Sequence, residues 1–557
     1  MIAPPALAAS EAAVISKSSF LGRPALACLV TGLLPVLLRL LLLPLMPAPV
    51  PLNQDEFSYL LGADTFAQGR LTNPPHQMWV HLEALHVNSQ PTYGSKYPPA
   101  QALLLAFGQR LFGSPWAGVV VSIGLMCAGL CWMLQGWVSP GYAALASVMA
   151  ALTWGVAQYW MNSYWGGAVP ALGGALVIGS APRLARQASA SAALLGAVGV
   201  VVLANSRPFE GLLTIVTTTA VLLVLTRRQQ RPLKSLLRRK VIVPALLVFV
   251  PAGAALAYYN ARATGNALLP PYLLNEITYG PWPHSALLPP VPKPSYRHEL
   301  FSRVWDWEND LYRVARANPL AGVKFAWPFV APMFVANLLG VSALLGLIWG
   351  RRAVRLPALA VLSLPLIGVL AQKAFLPHYL APFCGAYLIL AALGLEACGR
   401  WGSGSHQSGR LVVALLFGLT LGMLMLGVSD ASASARQSPV GVANRPRLIR
   451  QLEQQGGRHL VIVRYSPTHF IHEDWVYNRA DIDASTVVWA RDMGADQNRE
   501  LLDYYRDRKV WLLEPDTDPL ALHPYPSPDQ ALPRQTEPGR GTSGQDRSPA
   551  KNRINLR

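Results

Sequence analysis

Charged residues are scarce in this sequence. Asp, Glu, Lys and Arg together make up 14% of its 557 residues, whereas 52% of the residues are hydrophobic. Soluble globular proteins usually carry about 25% charged residues. The composition therefore excludes an ordinary soluble protein and predicts an α-helical polytopic membrane protein.

Acidic residues and cysteines are also few. The 29 Asp and Glu residues against 47 Lys and Arg residues give a formal net charge of +18. In a membrane protein such an excess lies in cytoplasmic loops beside anionic lipid, so it requires no nucleic-acid partner. The five cysteines lie within or at the edge of apolar segments, which predicts free thiols without a disulfide framework.

Long apolar runs dominate the chain. They predict about 11 spans, within a range of roughly 10 to 13, because a spanning helix needs about 20 apolar residues. The runs lie at about 25–47, 116–137, 140–160, 166–182, 190–206, 209–226, 241–259, 327–349, 356–372, 378–398 and 410–428.

The positive-inside rule orients these spans. The basic cluster "RRQQRPLKSLLRRK" at 227–240 is predicted to be cytoplasmic, and alternation then puts the N-terminus, 1–24, inside and everything after residue 428 outside. This topology requires that 97–113 does not cross the membrane, and we predict a helix in the outer interface there. Two large loops, 48–115 and 260–326, lie on the outer face together with nearly all the unusual polar residues, so any chemistry is expected there.

Two adjacent carboxylates follow the first span directly, in "VPLNQDEFSYLLGADTFAQGRL" at 50–71. The stretch 54–68 predicts an amphipathic helix that Asn53 caps, with Asp55 and Glu56 in its first turn. The helix macrodipole favours anions there, so one interpretation is an ordinary helix start. The other is a catalytic carboxylate at the mouth of a membrane cavity.

The order of motifs resembles a known superfamily. The acidic pair is followed by "AQGRL" at 67–71 and by "KYPPAQALLLAFGQRLFG" at 96–113, and later by "YYNARATGN" at 258–266 and "PHYLAP" at 377–382. In this order the sequence is similar to the GT-C superfamily of membrane glycosyltransferases, especially members akin to protein O-mannosyltransferases and the aminoarabinose transferase of lipid A.

The resemblance implies an activity and a location. Residues 25–428 would be a transmembrane catalytic domain in the inner (plasma) membrane of a bacterial cell, with its active site on the periplasmic side. It would move a hexose or pentose from a polyprenyl-phosphate donor to a lipid, glycan or protein acceptor, with inversion. Asp55 would be the general base and Glu56 a less essential neighbour. A metal-free reaction without cofactor is expected, although some members of the superfamily use a divalent cation.

The leaving phosphate needs cationic or hydrogen-bonding partners away from water. The predicted donor-phosphate ligands are Lys96, Arg207, His378 and Arg70. Polar and aromatic residues on the outer face are predicted to bind the substrates, and these are Tyr59, Tyr97, Asn162, Tyr164, Trp165, Glu210 and Tyr379. Structural roles stay open for several of them, since Arg207 can snorkel to lipid headgroups and the aromatic residues can form an interfacial belt.

No metal site is predicted. His76, His81 and His86 repeat every five residues in the first outer loop, a spacing that does not align them on one helix face. The segment "DIDAS" at 481–485 contains an Asp-X-Asp pattern, which can hold a metal ion beside a nucleotide donor. Because the expected donor carries no nucleotide, we predict no metal there.

The region 429–516 is not membrane-like and predicts a small α/β domain outside the cytoplasm. "HLVIVRY", "TVVWA" and "KVWLLEP" are typical of buried strands, and "RPRLIRQLEQQ" and "ADQNRELLDYYRDR" of helices. Residues 517–557 are rich in Pro, Ser, Arg and Gln, which predicts disorder.

Three other functions fit parts of the pattern. A multi-span transporter or flippase for lipids or glycans would show ionisable residues within its spans and an internal repeat, and no repeat is visible. An O-antigen ligase or polymerase would show Arg-rich outer loops without the acidic pair. A non-catalytic assembly protein would bind through its outer domain alone.

Overall fold

A computed structural model describes residues 23–280, 285–318, 320–401 and 408–525. The predicted inner N-terminus, except for its last two residues, and residues 526–557 lie outside the described residues. Each of the eleven predicted spans coincides with helix. The helices are α1 (Pro24–Leu41), α5 (Pro115–Leu134), α6 (Pro140–Trp154), α7 (Ala168–Arg186), α8 (Ala190–Ala204), α9 (Pro208–Arg228), α10 (Arg239–Thr264), α13 (Ala321–Val330) with α14 (Leu338–Trp349), α15 (Arg352–Leu370), α16 (Cys384–Cys398) and α17 (Ser408–Ala435).

Within the described ranges, eight helices are long and apolar enough to cross a membrane, and α6 and α8 are shorter at 15 residues each. The span predicted at 327–349 corresponds to two helices, because α13 and α14 meet at a 78° bend. Pro332 lies in the connecting turn, and the Asn337 side chain caps the new helix by accepting a hydrogen bond from Gly340 N at 3.0 Å. Proline removes a helical N–H and the cap starts a fresh helix, so one straight rod cannot form.

The loop that follows α1, which we call the first outer loop after its predicted side, contains α2 (Gln54–Ala67), α3 (Trp79–Leu82), a hairpin of β1 (Val87–Asn88) and β2 (Gly94–Ser95), and α4 (Pro99–Phe112). The 14 residues of α4 extend about 21 Å, less than the roughly 30 Å of a bilayer core. This length fits the prediction that 97–113 does not cross. A Cβ on Gly118 would lie 2.0 Å from Leu104 O, so glycine permits α4 and α5 to pack backbone to backbone.

The second large outer loop carries α11 (Pro271–Tyr279) and α12 (Glu299–Ala317) between α10 and α13. The start of α12 packs through Leu300 and Phe301 against Leu85 of the first loop. The two outer loops therefore form one layer over the ends of the spans.

The C-terminal region forms a four-stranded sheet in the order β4-β3-β5-β6, flanked by α18 (Arg445–Gln454) and α19 (Ala495–Tyr504). The predicted strands appear as β3 (His459–Val463), β4 (Val487–Arg491) and β5 (Lys509–Leu513), paired in parallel. The small α/β domain, which we call the outer domain, is thus confirmed as a fold. Its side of the membrane stays a prediction.

Two boundaries of this region differ from the predictions. Disorder from residue 517 is wrong for β6 (Leu522–Pro524), which pairs antiparallel with β5 and satisfies backbone groups at the sheet edge. Helix α17 also continues to Ala435, because the sequence "SDASASA" contains no helix breaker. All five cysteines are free, as predicted.

The outer domain and the first outer loop share one hydrophobic core. Phe57 and Leu61 of α2, together with residues of the loop and hairpin, pack with the strands of the sheet. The Phe57 and Tyr477 rings stack with centroids 4.6 Å apart. The helix that carries the acidic pair is therefore held between the spans and the outer domain.

Candidate active site

Helix α2 begins as the sequence predicts. Asn53 has an extended backbone conformation, and its side chain accepts a hydrogen bond from Glu56 N at 3.2 Å. Asp55 and Glu56 occupy the first turn, where the helix dipole stabilises negative charge. Adjacent helical residues point about 100° apart, so the two carboxylates face different surroundings.

Glu56 faces the protein interior and is 2% exposed. Its Oε2 accepts hydrogen bonds from Leu52 N at 2.8 Å and Asn53 Nδ2 at 3.2 Å, and its Oε1 accepts one from Tyr164 N at 2.9 Å. Burial raises the pKa of Glu56 to about 7, although the bonds from Leu52 and Tyr164 oppose this rise. Glu56 therefore joins the loop after α1 to the loop before α7.

Replacing Glu56 should weaken the fold. In Glu56→Gln one carboxylate oxygen becomes an NH2 group that faces an N–H donor, so a buried donor loses its partner. We expect the free energy of unfolding to fall by about 1–3 kcal/mol. Thermal melting of the purified variant measures this, with the exposed Glu500→Gln as the matched control. A melting curve equal to that of the control would show that these contacts do not stabilise the loops.

Asp55 points away from the interior and its side chain is 29% exposed. His86 Nδ1 lies 2.8 Å from Asp55 Oδ1, and the Tyr97 hydroxyl donates a hydrogen bond to the same oxygen. Burial alone would raise the pKa of Asp55, but His86, Tyr97 and the charge of Lys96 outweigh it and hold the pKa below its usual range. Asp55 is therefore ionised and open on one side.

The hairpin explains why His86 reaches Asp55. Val87 pairs with Ser95 and Asn88 with Gly94, so continuing the antiparallel register puts His86 opposite Lys96, whose N–H donates to His86 O at 3.2 Å. His86 has a φ of 62°, an unfavourable left-handed conformation for a residue with a side chain. In the sequence His86 stands out only as one of three histidines at five-residue spacing, and not as a partner of Asp55. The register of the hairpin would have predicted this contact. The strands are joined by five residues without a typical two-residue turn, so the hairpin is not recognisable in the sequence.

Arg207 and Tyr379 are two more polar side chains near Asp55. The Arg207 guanidinium carbon lies 4.4 Å from the Tyr379 ring centre, and the Tyr59 and Tyr97 rings stack 4.3 Å apart. Glu210, in the first turn of α9, accepts a hydrogen bond from Gln372 Nε2 at 3.2 Å. The turn before α9 and the segment before α16 thus meet over α2.

His378 belongs to the same group. Tyr159 Oη lies 2.9 Å from His378 Nδ1, and the Trp165 ring centre is 5.4 Å from that of His378. Burial, together with the charge of Arg207, lowers the pKa of His378 well below its usual value. A neutral His378 would bind a phosphate as a hydrogen-bond donor and not as a cation.

Two predicted ligands have other surroundings. Asn162 donates to Val156 O at 2.9 Å and Gln158 O at 3.0 Å, and its Oδ1 accepts from Arg39 Nε at 2.9 Å. Its amide therefore anchors its own loop. Arg70 follows the far end of α2, about 20 Å along the helix from Asp55, and donates to Gln68 Oε1.

The histidines of the first loop have separate partners. His76 Nε2 lies 3.1 Å from Asp483 Oδ1, whereas His86 contacts Asp55. Throughout the described ranges, no group of three or more His, Cys, Asp or Glu side chains is arranged to hold a metal ion. Asp483 of the Asp-X-Asp segment thus connects the outer domain to the first outer loop through His76.

Tertiary structure brings further residues close to Lys96 and to the start of α2. Lys373 Nζ lies 3.1 Å from Glu308 Oε2. The charge of Glu308 raises the pKa of Lys96, and the charge of Lys373 lowers it. His472 of the outer domain also lies close to the start of α2. Its Nδ1 is 3.5 Å from the side-chain Nε2 of Gln54, the residue before Asp55.

Several solved structures are similar to this chain. ArnT from Cupriavidus metallidurans bound to undecaprenyl phosphate is 13% identical, with 87% of this chain and 92% of that chain covered and a TM-score of 0.49. The archaeal oligosaccharyltransferase AglB from Archaeoglobus fulgidus, in complex with an inhibitory peptide and a dolichol-phosphate, is 11% identical, with 87% and 69% covered and a TM-score of 0.43. The arabinofuranosyltransferase AftD from Mycobacteria is 14% identical, with 89% and 36% covered and a TM-score of 0.43. No protein-family profile matches the sequence, and no curated protein matches it.

Proposed function

We propose that this chain is a membrane glycosyltransferase that moves a sugar from a polyprenyl-phosphate donor to an acceptor on the outer face of the membrane, with inversion. The observation that carries the proposal is an ionised, partly exposed Asp55 flanked by cationic and phenolic side chains. The order of motifs in the first outer loop supports the same activity. The acceptor is a lipid, a glycan or a protein, and no nucleic acid takes part.

Asp55 is the general base of this reaction. The acceptor hydroxyl oxygen attacks the anomeric carbon, the bond from that carbon to the phosphate oxygen breaks, and the acceptor proton moves to Asp55. Both protein contacts engage Oδ1, so the proton is assigned to Oδ2. Since the transition state is oxocarbenium-like, the hydroxyl proton becomes acidic as the new bond forms, and a weak base suffices.

Glu56 is a poorer candidate for the base, although its pKa of about 7 lies nearer the working pH. Its two oxygens accept three hydrogen bonds from the protein and the residue is almost fully buried. A base must first reach the proton that it removes, and only then does its pKa matter.

The leaving polyprenyl phosphate is held by Lys96 and Arg207 as charges, and by Tyr379 and His378 as hydrogen-bond donors. Charge-assisted bonds away from water stabilise the phosphate as negative charge develops on it. Tyr59, which stacks on Tyr97, and Trp165, which lies beside His378, contact the sugar, and Glu210 lies beside Arg207. Tyr164 supports the site from below, because its N–H donates to Glu56 and its hydroxyl donates to Pro49 O at 3.0 Å.

A cavity of about 330 Å³ provides room for the first isoprene units of the donor. It begins at Pro98 and Pro99, directly after Lys96 and Tyr97, and continues along Gly253, Leu256 and Ala257 of the apolar helix α10. Apolar walls at the outer end of a span suit a lipid chain.

Release of sugar from the donor tests the proposal. The full chain in nanodiscs, given polyprenyl phosphate that carries a labelled hexose or pentose, should cleave the sugar–phosphate bond and pass the sugar to an acceptor or to water. A transporter would instead move the intact lipid across a vesicle bilayer. Transbilayer movement without bond cleavage would overturn the glycosyltransferase assignment.

A further inference from the structure

The outer domain contacts the start of α2 directly. Gln54 Nε2 donates to Ile471 O at 3.4 Å and lies 3.5 Å from His472 Nδ1. Further along the same helix, Asp64 Oδ2 accepts from Ala480 N at 2.9 Å. The segment around His472 therefore lies beside Asp55, more than 400 residues away in sequence.

His472 lies within a small aromatic group. Its ring centre is 4.6 Å from that of Trp307 on α12, with an interplanar angle of 82°, and 5.3 Å from that of Phe470. Phe470 is 45% exposed. Burial lowers the pKa of His472, while the charge of Asp55 opposes this. A neutral imidazole beside exposed aromatic surface is suited to an uncharged polar ligand.

The side chains that interact with Asp55 come from two parts of the molecule, which we call the first and the second group. Arg207, His378 and Tyr379 come from the spans and the turns between them, whereas His472 and Trp307 come from the outer domain and α12. An inverting displacement needs the acceptor and the leaving phosphate on opposite faces of the sugar. The first group carries the charge that a phosphate requires, which leaves the second group for the acceptor.

Carboxylates precede and follow Trp307 in the sequence of α12, and each has a lysine partner. Glu308 pairs with Lys373 at 3.1 Å, and Asp306 pairs with Lys293 at 2.7 Å. Glu308 also interacts with the charge of Lys96. Aromatic rings next to carboxylates suit sugar rings, whose C–H faces pack on the ring while their hydroxyls donate to the oxygens.

We propose that His472 and Trp307 form the acceptor side of the site and that the acceptor is a neutral carbohydrate. The assignment rests on the proposed function for the direction of attack. The sugar ring of the acceptor packs against Trp307, and His472 orients the attacking hydroxyl toward Asp55. The acceptor proton moves to Asp55, and the bond from the anomeric carbon to the phosphate oxygen breaks.

Binding to a glycan array tests the acceptor class without requiring catalysis. The full chain in nanodiscs is applied to an array of neutral, phosphorylated and sulfated glycans. Wild-type protein should bind neutral glycans, and Trp307→Ala and His472→Ala should each weaken the signal about tenfold or more. His523→Ala, at an exposed position of β6, is the matched control. Signal restricted to anionic glycans, no signal on neutral ones, or variants equal to wild type would overturn the proposal.

A transfer assay separates this proposal from the proposed function. With labelled donor and octyl glucoside as the acceptor probe, both variants should raise the KM for octyl glucoside and lower the ratio of transfer to donor hydrolysis, with the KM for donor unchanged. An equal loss of transfer and hydrolysis would contradict the acceptor role while leaving the glycosyltransferase standing. Neutral-glycan binding by a chain that cleaves no donor would refute the proposed function alone.

Discussion

Asp55→Asn should lower the rate of sugar transfer by about a hundredfold to ten-thousandfold, because it removes the group that takes the acceptor proton. The change keeps the size of the side chain and most of its ability to stabilise the start of α2. Its amide oxygen can still accept from Tyr97, so the site should keep its shape. Transfer from a purified polyprenyl-phosphate donor measures the effect, with thermal melting as the test of folding.

The matched control is Asp496→Asn, an exposed carboxylate in the first turn of α19 whose side chain is 88% exposed. Donor binding should survive in Asp55→Asn, because the phosphate ligands are unchanged. A folded Asp55→Asn protein that transfers sugar at a rate close to wild type would show that the acidic pair is only a helix start.

The acid limb of the pH profile follows from the same residue. The pKa of Asp55 lies below the usual value for an Asp carboxyl, which is about 3.9. A carboxylate with a lowered pKa stays ionised as the pH falls, and protonates only below that range. Transfer by the wild-type protein should therefore lose none of its rate to Asp55 protonation between about pH 7 and pH 5.

Lys96→Ala should lower kcat/KM by removing a charge from the developing phosphate. A contact of this kind at a dry site contributes about 2–4 kcal/mol to transition-state stabilisation, which corresponds to roughly 30-fold to 1,000-fold in rate. Lys96 Nζ lies 5.4 Å from the Tyr97 ring centre and interacts with the charges of Asp55 and Glu308, so it is held beside the base. Steady-state transfer with varied donor gives the measurement.

Two comparisons make the Lys96 result specific. Lys96→Arg keeps the charge and should recover part of the activity, whereas Lys324→Ala removes an exposed lysine of α13 and should change nothing. If Lys96→Ala turned over at the wild-type rate, Lys96 would not stabilise the leaving phosphate, and that role would be assigned to Arg207.

Much of the membrane fold follows from local sequence. A run of about 20 apolar residues has few alternatives to a spanning helix, because its backbone groups must pair internally away from water. The bend between α13 and α14 was not predicted, since a hydropathy pattern does not distinguish one straight helix from two helices joined at Pro332. Strands β3 and β4 of the outer domain were predictable because both are short, fully buried and contain β-branched residues.

The sequence by itself determined the start of the candidate site. Asn53, Asp55 and Glu56 are consecutive or nearly so, and capping and dipole effects act within one helical turn. Local sequence therefore predicts that α2 begins with two carboxylates pointing in different directions. It does not predict which of the two is open to a substrate.

Only the tertiary structure decided the surroundings of those carboxylates. Glu56 is enclosed because Tyr164 N, from another loop, binds it, and Asp55 is open because the hairpin brings His86 to only one of its oxygens. His472 reaches the same place because the outer domain and α2 share a hydrophobic core. Such contacts arise from burying apolar surface between distant segments, and the free energy of that burial depends on area and not on neighbouring residues in the sequence.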